Sequence, residues 1–277
     1  MASTVTGRPT SPPNGARPNG VNAPGRAHIP ERTLRTDRWW ASPLAYFLFF
    51  SAWVIYATVR VCVHNSYWVG KYHYLTPFYS PCLSSSCTPD SALFGRPLPS
   101  FPPIIPYAII SLVFLLAFRM TCYYYRKAYY RSFWGSPPAC AVAEPHRGYS
   151  GETRFPLIFQ NAHRYFFYLA ALLSIVNTID LIESFIHGLG LGNIIMLINV
   201  IGLWLYTASC HSCRSIMGGR LTHFSRHPVR YKLWGWISKL NGYHMQFALA
   251  TLITLAVTDG YIALLASGAF SDLRIIN

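Results

Sequence analysis

Acidic residues are scarce in this chain: nine Asp and Glu stand against 23 Lys and Arg, and charges of both signs amount to 12% of 277 residues. With 52% hydrophobic and 16% aromatic residues, so little charge excludes an ordinary solvated globule and indicates a chain built for a bilayer. The first 42 residues lack anything to bury. They are rich in Pro, Gly, Asn and Arg ("GRPTSPPNGARPNGVNAPGR"). They have neither the apolar core nor the small-residue cleavage site of a secretory signal, so residues 1–42 are expected to form a disordered, basic arm. A net charge of +14 would suggest nucleic acid in a soluble protein. Here topology accounts for it, and no nucleic-acid partner is expected.

Crossing a bilayer as helix takes about 20 apolar residues. Five stretches qualify, roughly 43–63, 104–125, 162–185, 192–213 and 242–267. The expected fold is therefore all-α: an integral membrane protein with five transmembrane helices in an anchor domain over 43–268, followed by an outer tail, 269–277. The arm carries Arg8, Arg17, Arg26, Arg32, Arg35 and Arg38. The loop after the second span carries Arg119, Arg126, Lys127, Arg131, Arg147 and Arg154, and the loop after the fourth carries Arg214, Arg220, Arg226, Arg230, Lys232 and Lys239. That places 18 of the 23 basic residues on one side. The positive-inside rule makes that side cytoplasmic, giving a multi-pass protein of the cell membrane with its N-terminus inside and its C-terminus outside. The outer segment 64–103 then holds "SPCLSSSC", where Cys82 and Cys87 face an oxidising space and are expected to pair. Cys62, Cys122 and Cys140 read as buried thiols.

Neither a zinc-finger spacing nor a haem-attachment CxxCH occurs, yet the fourth span ends in "YTASCHSCRS" (206–215). On a continuous helix Cys210 and Cys213 would present their sulfurs on one face, with His211 turned away. His163 lies near the cytoplasmic start of the third span and His244 near that of the fifth. Three helices thus bring two thiols and two imidazoles to one membrane level, within reach of a shared inorganic centre. Two Cys on one iron and two His on the other is the ligand set of a Rieske-type 2Fe–2S cluster, whose raised potential suits electron transfer to a quinone. Haem b held by His163 and His244, and a structural zinc site in a scaffold or transporter, are the alternatives. No inverted repeat with broken spans favours a transporter, and the Gly-rich 187–193 reads as an outer turn.

A quinone slot needs hydrogen-bond donors at the same depth; Tyr165, Arg164, His223, Trp234 and Tyr243 are candidates. Asp180, Glu183 and Asp259 lie towards the outer end, on a proton path or as caps of helix ends. The segments 126–161 and 214–241 are aromatic and basic, suited to a partner protein or to lipid headgroups.

The stretches "YYYRKAYYRSFWGSPPACAVAEPHRGYSGETRFPLIFQNAHRYFFYL" and "TASCHSCRSIMGGRLTHFSRHPVRYKLWGWISKLNGYHMQFAL", in a five-span layout, resemble the membrane anchor of mycobacterial-type actinobacterial succinate dehydrogenases over about residues 35–268. The resemblance implies a subunit carrying a flavoprotein and an iron–sulfur subunit on its cytoplasmic face and passing electrons to a membrane quinone of the menaquinone or ubiquinone type. Succinate itself would react on a partner. It also implies a Rieske-type cluster rather than haem, with Cys210, Cys213, His163 and His244 in the ligand positions. The Cys pair departs from the haem b anchors, which place histidines in several spans.

Overall fold

In the computed structural model four helices among the described residues are long and apolar enough to cross a membrane: α1 (Ala41–Val63), α4 (His163–Ile186), α5 (Leu191–Ala208) and α8 (His244–Ala266). The structure describes residues 37–102, 104–129, 157–219 and 221–276. The expectations for arm residues 1–36, for Cys140 and for most of the aromatic–basic segment 126–161 lie outside the described residues.

The stretch expected as the second span is shorter. Pro102 and Pro106 lack the N–H a helix interior needs, and α2 runs only Ile109–Thr121. Its 13 residues reach about 20 Å, against about 30 Å of hydrocarbon. At Cys122 the backbone turns extended (ψ 134°), and a separate helix, α3 (Tyr123–Tyr129), follows. The fourth span also ends early. α5 stops at Ala208, and α6 (His211–Gly218) and α7 (Pro228–Asn241) continue the chain at the same end of the bundle.

The helices show the burial pattern of a bundle solvated by lipid. In α1, Phe50, Trp53, Ala57 and Val61 are buried at spacings of three and four, while Leu48, Phe49, Ile55, Val59 and Val63 face outward. A continuous exposed apolar face is tolerated when the solvent is hydrocarbon. Cys62 lies on that outer side, so it is not the buried thiol expected. α5 packs between α4 and α8, and Thr254 Oγ1 donates across to Asn199 Oδ1 at 3.1 Å. Trp53 Nε1 ties α1 to α8 through the Leu252 carbonyl at 2.9 Å.

One basic residue is misplaced by the loop reading. Arg119 is fully buried in the bundle and does not belong to a cytoplasmic loop. Its guanidinium donates to Thr251 Oγ1 (3.1 Å) and the Ala248 carbonyl (3.4 Å). It lies 5.0–5.6 Å from the ring centres of Trp53, Tyr125 and Tyr206. Cation–π contacts of this kind gain strength when desolvated.

The opposite end is closed by small structures. A hairpin pairs β1 (Trp68–Val69) with β2 (Tyr74–Leu75), and β3 (Leu189–Gly190) pairs antiparallel with β4 (Arg274–Ile276). The Cys82–Cys87 disulfide stands here. Tyr74 OH donates to Asn193 Oδ1 at 2.7 Å, and Arg274 holds the His187 carbonyl at 2.9 Å, fastening the C-terminal strand to the bundle.

Arg60 meets the buried Asp259 at 2.6 Å, and Tyr56 OH donates to the same carboxylate at 2.6 Å. Removing one partner of a buried pair leaves an uncompensated charge, at a cost of roughly 3–5 kcal/mol. Asp259→Ala is therefore expected to lower the thermal unfolding midpoint of the assembled protein markedly. An unchanged midpoint would contradict the pairing.

Candidate cysteine–histidine centre

Four chain ends meet at the α6–α7 end of the bundle. α2 stops before Cys122, α5 stops before Ser209 and Cys210, α4 begins at His163 and α8 begins at His244. Cys210 is not on the α5 helix. Its backbone is extended (φ −62°, ψ 141°), and it caps α6, with its sulfur accepting from the Ser212 N–H at 3.4 Å. Cys213 follows one turn into α6, half-buried against the core cluster that contains Cys210. The expected single-helix placement of the two thiols is thus replaced by a cap and a first-turn position.

The two imidazoles are held alike. His163 Nδ1 bonds Thr121 Oγ1 at 2.8 Å, and its Nε2 faces Cys210 Sγ at 3.3 Å. His244 Nδ1 bonds Ser209 Oγ at 2.7 Å, and its Nε2 faces Cys122 Sγ at 3.6 Å. Aromatic rings fix the planes: Phe118 stacks on His163 at 4.9 Å and Tyr206 on His244 at 5.0 Å. His211 also stands at this centre, its ring edge-on to His244 at 6.3 Å.

The site therefore contains Cys210, Cys213, His163 and His244, and it adds Cys122. The Thr121, Ser209 and Tyr206 supports were not foreseen. Arg119 and Cys122 had a signal, being a charge and a thiol inside an apolar run. The hydroxyls had none, since Ser and Thr are common in membrane helices.

Metal-ligating histidines fix one ring nitrogen on an outer partner and turn the other to the metal. His163 and His244 each bond a hydroxyl through Nδ1 and face a thiol through Nε2, an arrangement with the chemistry of a thiolate–imidazole donor set. Beyond the end of α5, burial pushes the Cys210 and Cys213 thiols upward in pKa. Burial, and then the neighbouring Arg214, pushes His211 downward. A neutral imidazole keeps its lone pair, and a bound cation would favour the thiolate form of the buried thiols.

A cavity of about 30 Å³ lies inside the bundle beside this centre, with Phe118, Arg119, Tyr206, Ser111, Asn177 and Leu255 on its walls. Among the described residues the Tyr206 hydroxyl and Arg119 Nε are buried without hydrogen-bond partners. A space of this size takes a water rather than a ring.

The residues expected at a quinone slot are dispersed. Tyr165 and Tyr243 are 70% and 61% exposed. Arg164 reaches Ser215 Oγ at 2.5 Å, Trp234 lies 5.0 Å beneath the Arg214 guanidinium, and His223 is exposed in the turn before α7. The three acids do gather towards the disulfide end, but in separate settings. Asp259 pairs with Arg60, Asp180 accepts from Ser80 Oγ, and Glu183 stands near His73 and His187.

Long apolar helices with a buried thiol–imidazole cluster at one end define a helical membrane subunit. The sequence model described as actinobacterial succinate dehydrogenase subunit SdhC matches residues 41–268. A chain of the Mycobacterium smegmatis Sdh1 complex in the apo form superposes with a TM-score of 0.87 at 63% identity, over 94% of this chain and all of that one. No curated protein matches. The chain belongs to the actinobacterial SdhC family and is a membrane subunit of succinate dehydrogenase.

The hydroxyls that hold the imidazoles give a direct test of the centre as a metal-binding site. Removing the group that hydrogen-bonds a metal-ligating imidazole weakens metal binding by about 10–100-fold. Thr121→Val with Ser209→Ala is expected to weaken cobalt(II) binding to the metal-stripped complex by that order, followed through the sulfur-to-cobalt absorption band. Unchanged affinity would show that the two hydroxyls do not position ligands.

Proposed function

We propose that this subunit anchors a succinate:quinone oxidoreductase and relays electrons to membrane quinone through a Rieske-type cluster held at the cysteine–histidine centre. The observation that carries the proposal is the matched pair of imidazoles, each bonded through Nδ1 to a hydroxyl and facing a thiol through Nε2. Bound there by Cys210, Cys213, His163 and His244, with Cys122 alongside, such a cluster would supply one-electron redox chemistry at a potential raised by its neutral ligands. The thiols 3.3 and 3.6 Å from the two Nε2 atoms favour this group over haem b.

The protein's own residues do the remaining work. Thr121 and Ser209 fix the imidazole tautomers, and Phe118 and Tyr206 exclude water from the ring faces. The unpartnered Tyr206 hydroxyl and Arg119 Nε at the cavity give a buried water polar partners close to the acceptor. Of the separate candidates for meeting a quinone head, Arg164, Tyr165 and Tyr243 stand at the starts of α4 and α8, and His223 and Trp234 stand before and within α7.

The α6–α7 end faces the cytoplasm in this proposal and carries the flavoprotein and iron–sulfur subunits, so succinate oxidation takes place on a partner. Arg214, Arg226, Arg230, Lys232 and Lys239 at this end agree with the positive-inside rule. The disulfide at the other end agrees with an oxidising exterior. The N-terminus is inside, and α2 together with α3 makes the fifth crossing, which puts the C-terminus outside.

Cys210→Ser in the assembled complex separates relay from upstream chemistry. Succinate-driven reduction of quinone is expected to fall to background, while reduction of a soluble artificial acceptor by the partner subunits persists. Retained quinone reduction would refute the relay.

A further inference from the structure

At the end opposite the cysteine–histidine centre, two histidines and a glutamate converge from different elements. His73 comes from the β1–β2 hairpin, in a left-handed backbone conformation (φ +52°). Glu183 and His187 lie one turn apart at the C-terminal end of α4. His73 Nδ1 is 3.7 Å and His187 Nδ1 3.8 Å from the same carboxylate oxygen, Glu183 Oε1. One donor atom from each of the three residues lies within 4.8 Å of the other two. The two imidazoles stack face to face, ring centres 3.5 Å apart and planes 6° from parallel.

The donor spacing suits a small cation. Zinc bonds of 2.0–2.1 Å in a tetrahedron set ligand atoms about 3.3 Å apart, a few tenths of an ångström inside the separations to Glu183. His73 Nδ1 is buried with no hydrogen-bond partner; a buried nitrogen left so is costly unless something occupies its lone pair. The side chains remain 26–33% exposed, which leaves an approach from the aqueous face. His187 Nδ1–H donates to the Glu183 carbonyl of its own helix at 3.0 Å, which leaves Nε2 as its free donor atom, and Arg274 holds the His187 carbonyl.

We propose that His73, Glu183 and His187 form a binding site for a borderline divalent transition-metal ion of the zinc class, closing the hairpin onto the end of α4. Two imidazoles and one carboxylate select zinc-like ions over calcium or magnesium, which take oxygen ligands. Three protein ligands leave one position of a tetrahedron for water. On binding, the stacked rings turn about their Cβ–Cγ bonds so that both lone pairs address the ion.

The test uses the assembled complex, stripped with chelator and titrated with zinc chloride while elemental content is measured. One zinc per copy of this chain is expected at the site, with a first shell of nitrogen and oxygen only by X-ray absorption. The thermal midpoint is expected to rise with zinc in the wild type and not in His73→Asn. Cobalt(II) substitution distinguishes the two ends of the molecule: this site gives no sulfur-to-cobalt band, whereas ions at the cysteine–histidine centre do. The His73→Ala/His187→Ala double variant is expected to lose the sulfur-free ion and keep its thiolate spectrum. Equal zinc content in wild type and double variant would overturn the site. So would a wild type that takes up no sulfur-free ion.

Discussion

Two hydrogen bonds between imidazoles and hydroxyls organise the cysteine–histidine end of this protein. Thr121 on His163 and Ser209 on His244, at 2.8 and 2.7 Å, settle which nitrogen of each ring is committed to the protein and which is free. The free nitrogens then face Cys210 and Cys122. Both hydroxyls stand where a helix has just ended, because α2 breaks at Cys122 and α5 at Ser209. An unbroken helix in either place would carry its last residues along the helix axis instead of setting a cysteine at a cap.

Low dielectric governs the rest of the bundle. Charged groups inside hydrocarbon must be compensated by the protein, and here Arg119 and Asp259 are each met in a specific way. Among the described residues Arg119 has no carboxylate opposite it, and it is held by two hydroxyls, a carbonyl and three aromatic rings. Asp259 is met by Arg60 and Tyr56. These contacts join α1, α2 and α8 at two depths, and so keep fixed the helix ends from which the centre is built.

Much of this was legible in the sequence, for identifiable reasons. Long apolar runs gave α1, α4, α5 and α8 because lipid-facing helices need no amphipathic pattern. His163 and His244 were legible as neighbours because each begins a helix at the same end. Cys122 was missed because its partner, His244, is 122 positions away, and no spacing rule spans that distance. Arg119 was read as a loop charge because a count of basic residues cannot tell a headgroup-facing arginine from one enclosed by Trp53, Tyr125 and Tyr206. The early end of α5 was hidden by an apolar run that continues into "YTAS", since hydropathy does not register a helix break. The pairing of His73 with His187 depends on a hairpin whose turn no local pattern specifies.

The most direct measurement is low-temperature EPR of the assembled complex reduced with its partner subunits, with a parallel optical spectrum, on wild type and a His163→Ala/His244→Ala double variant. A Rieske-type signal of low average g, present in wild type and absent from the variant while the partners' clusters remain, is the predicted result. A haem Soret band, or no additional signal in the wild type, would contradict a buried iron–sulfur relay in this subunit.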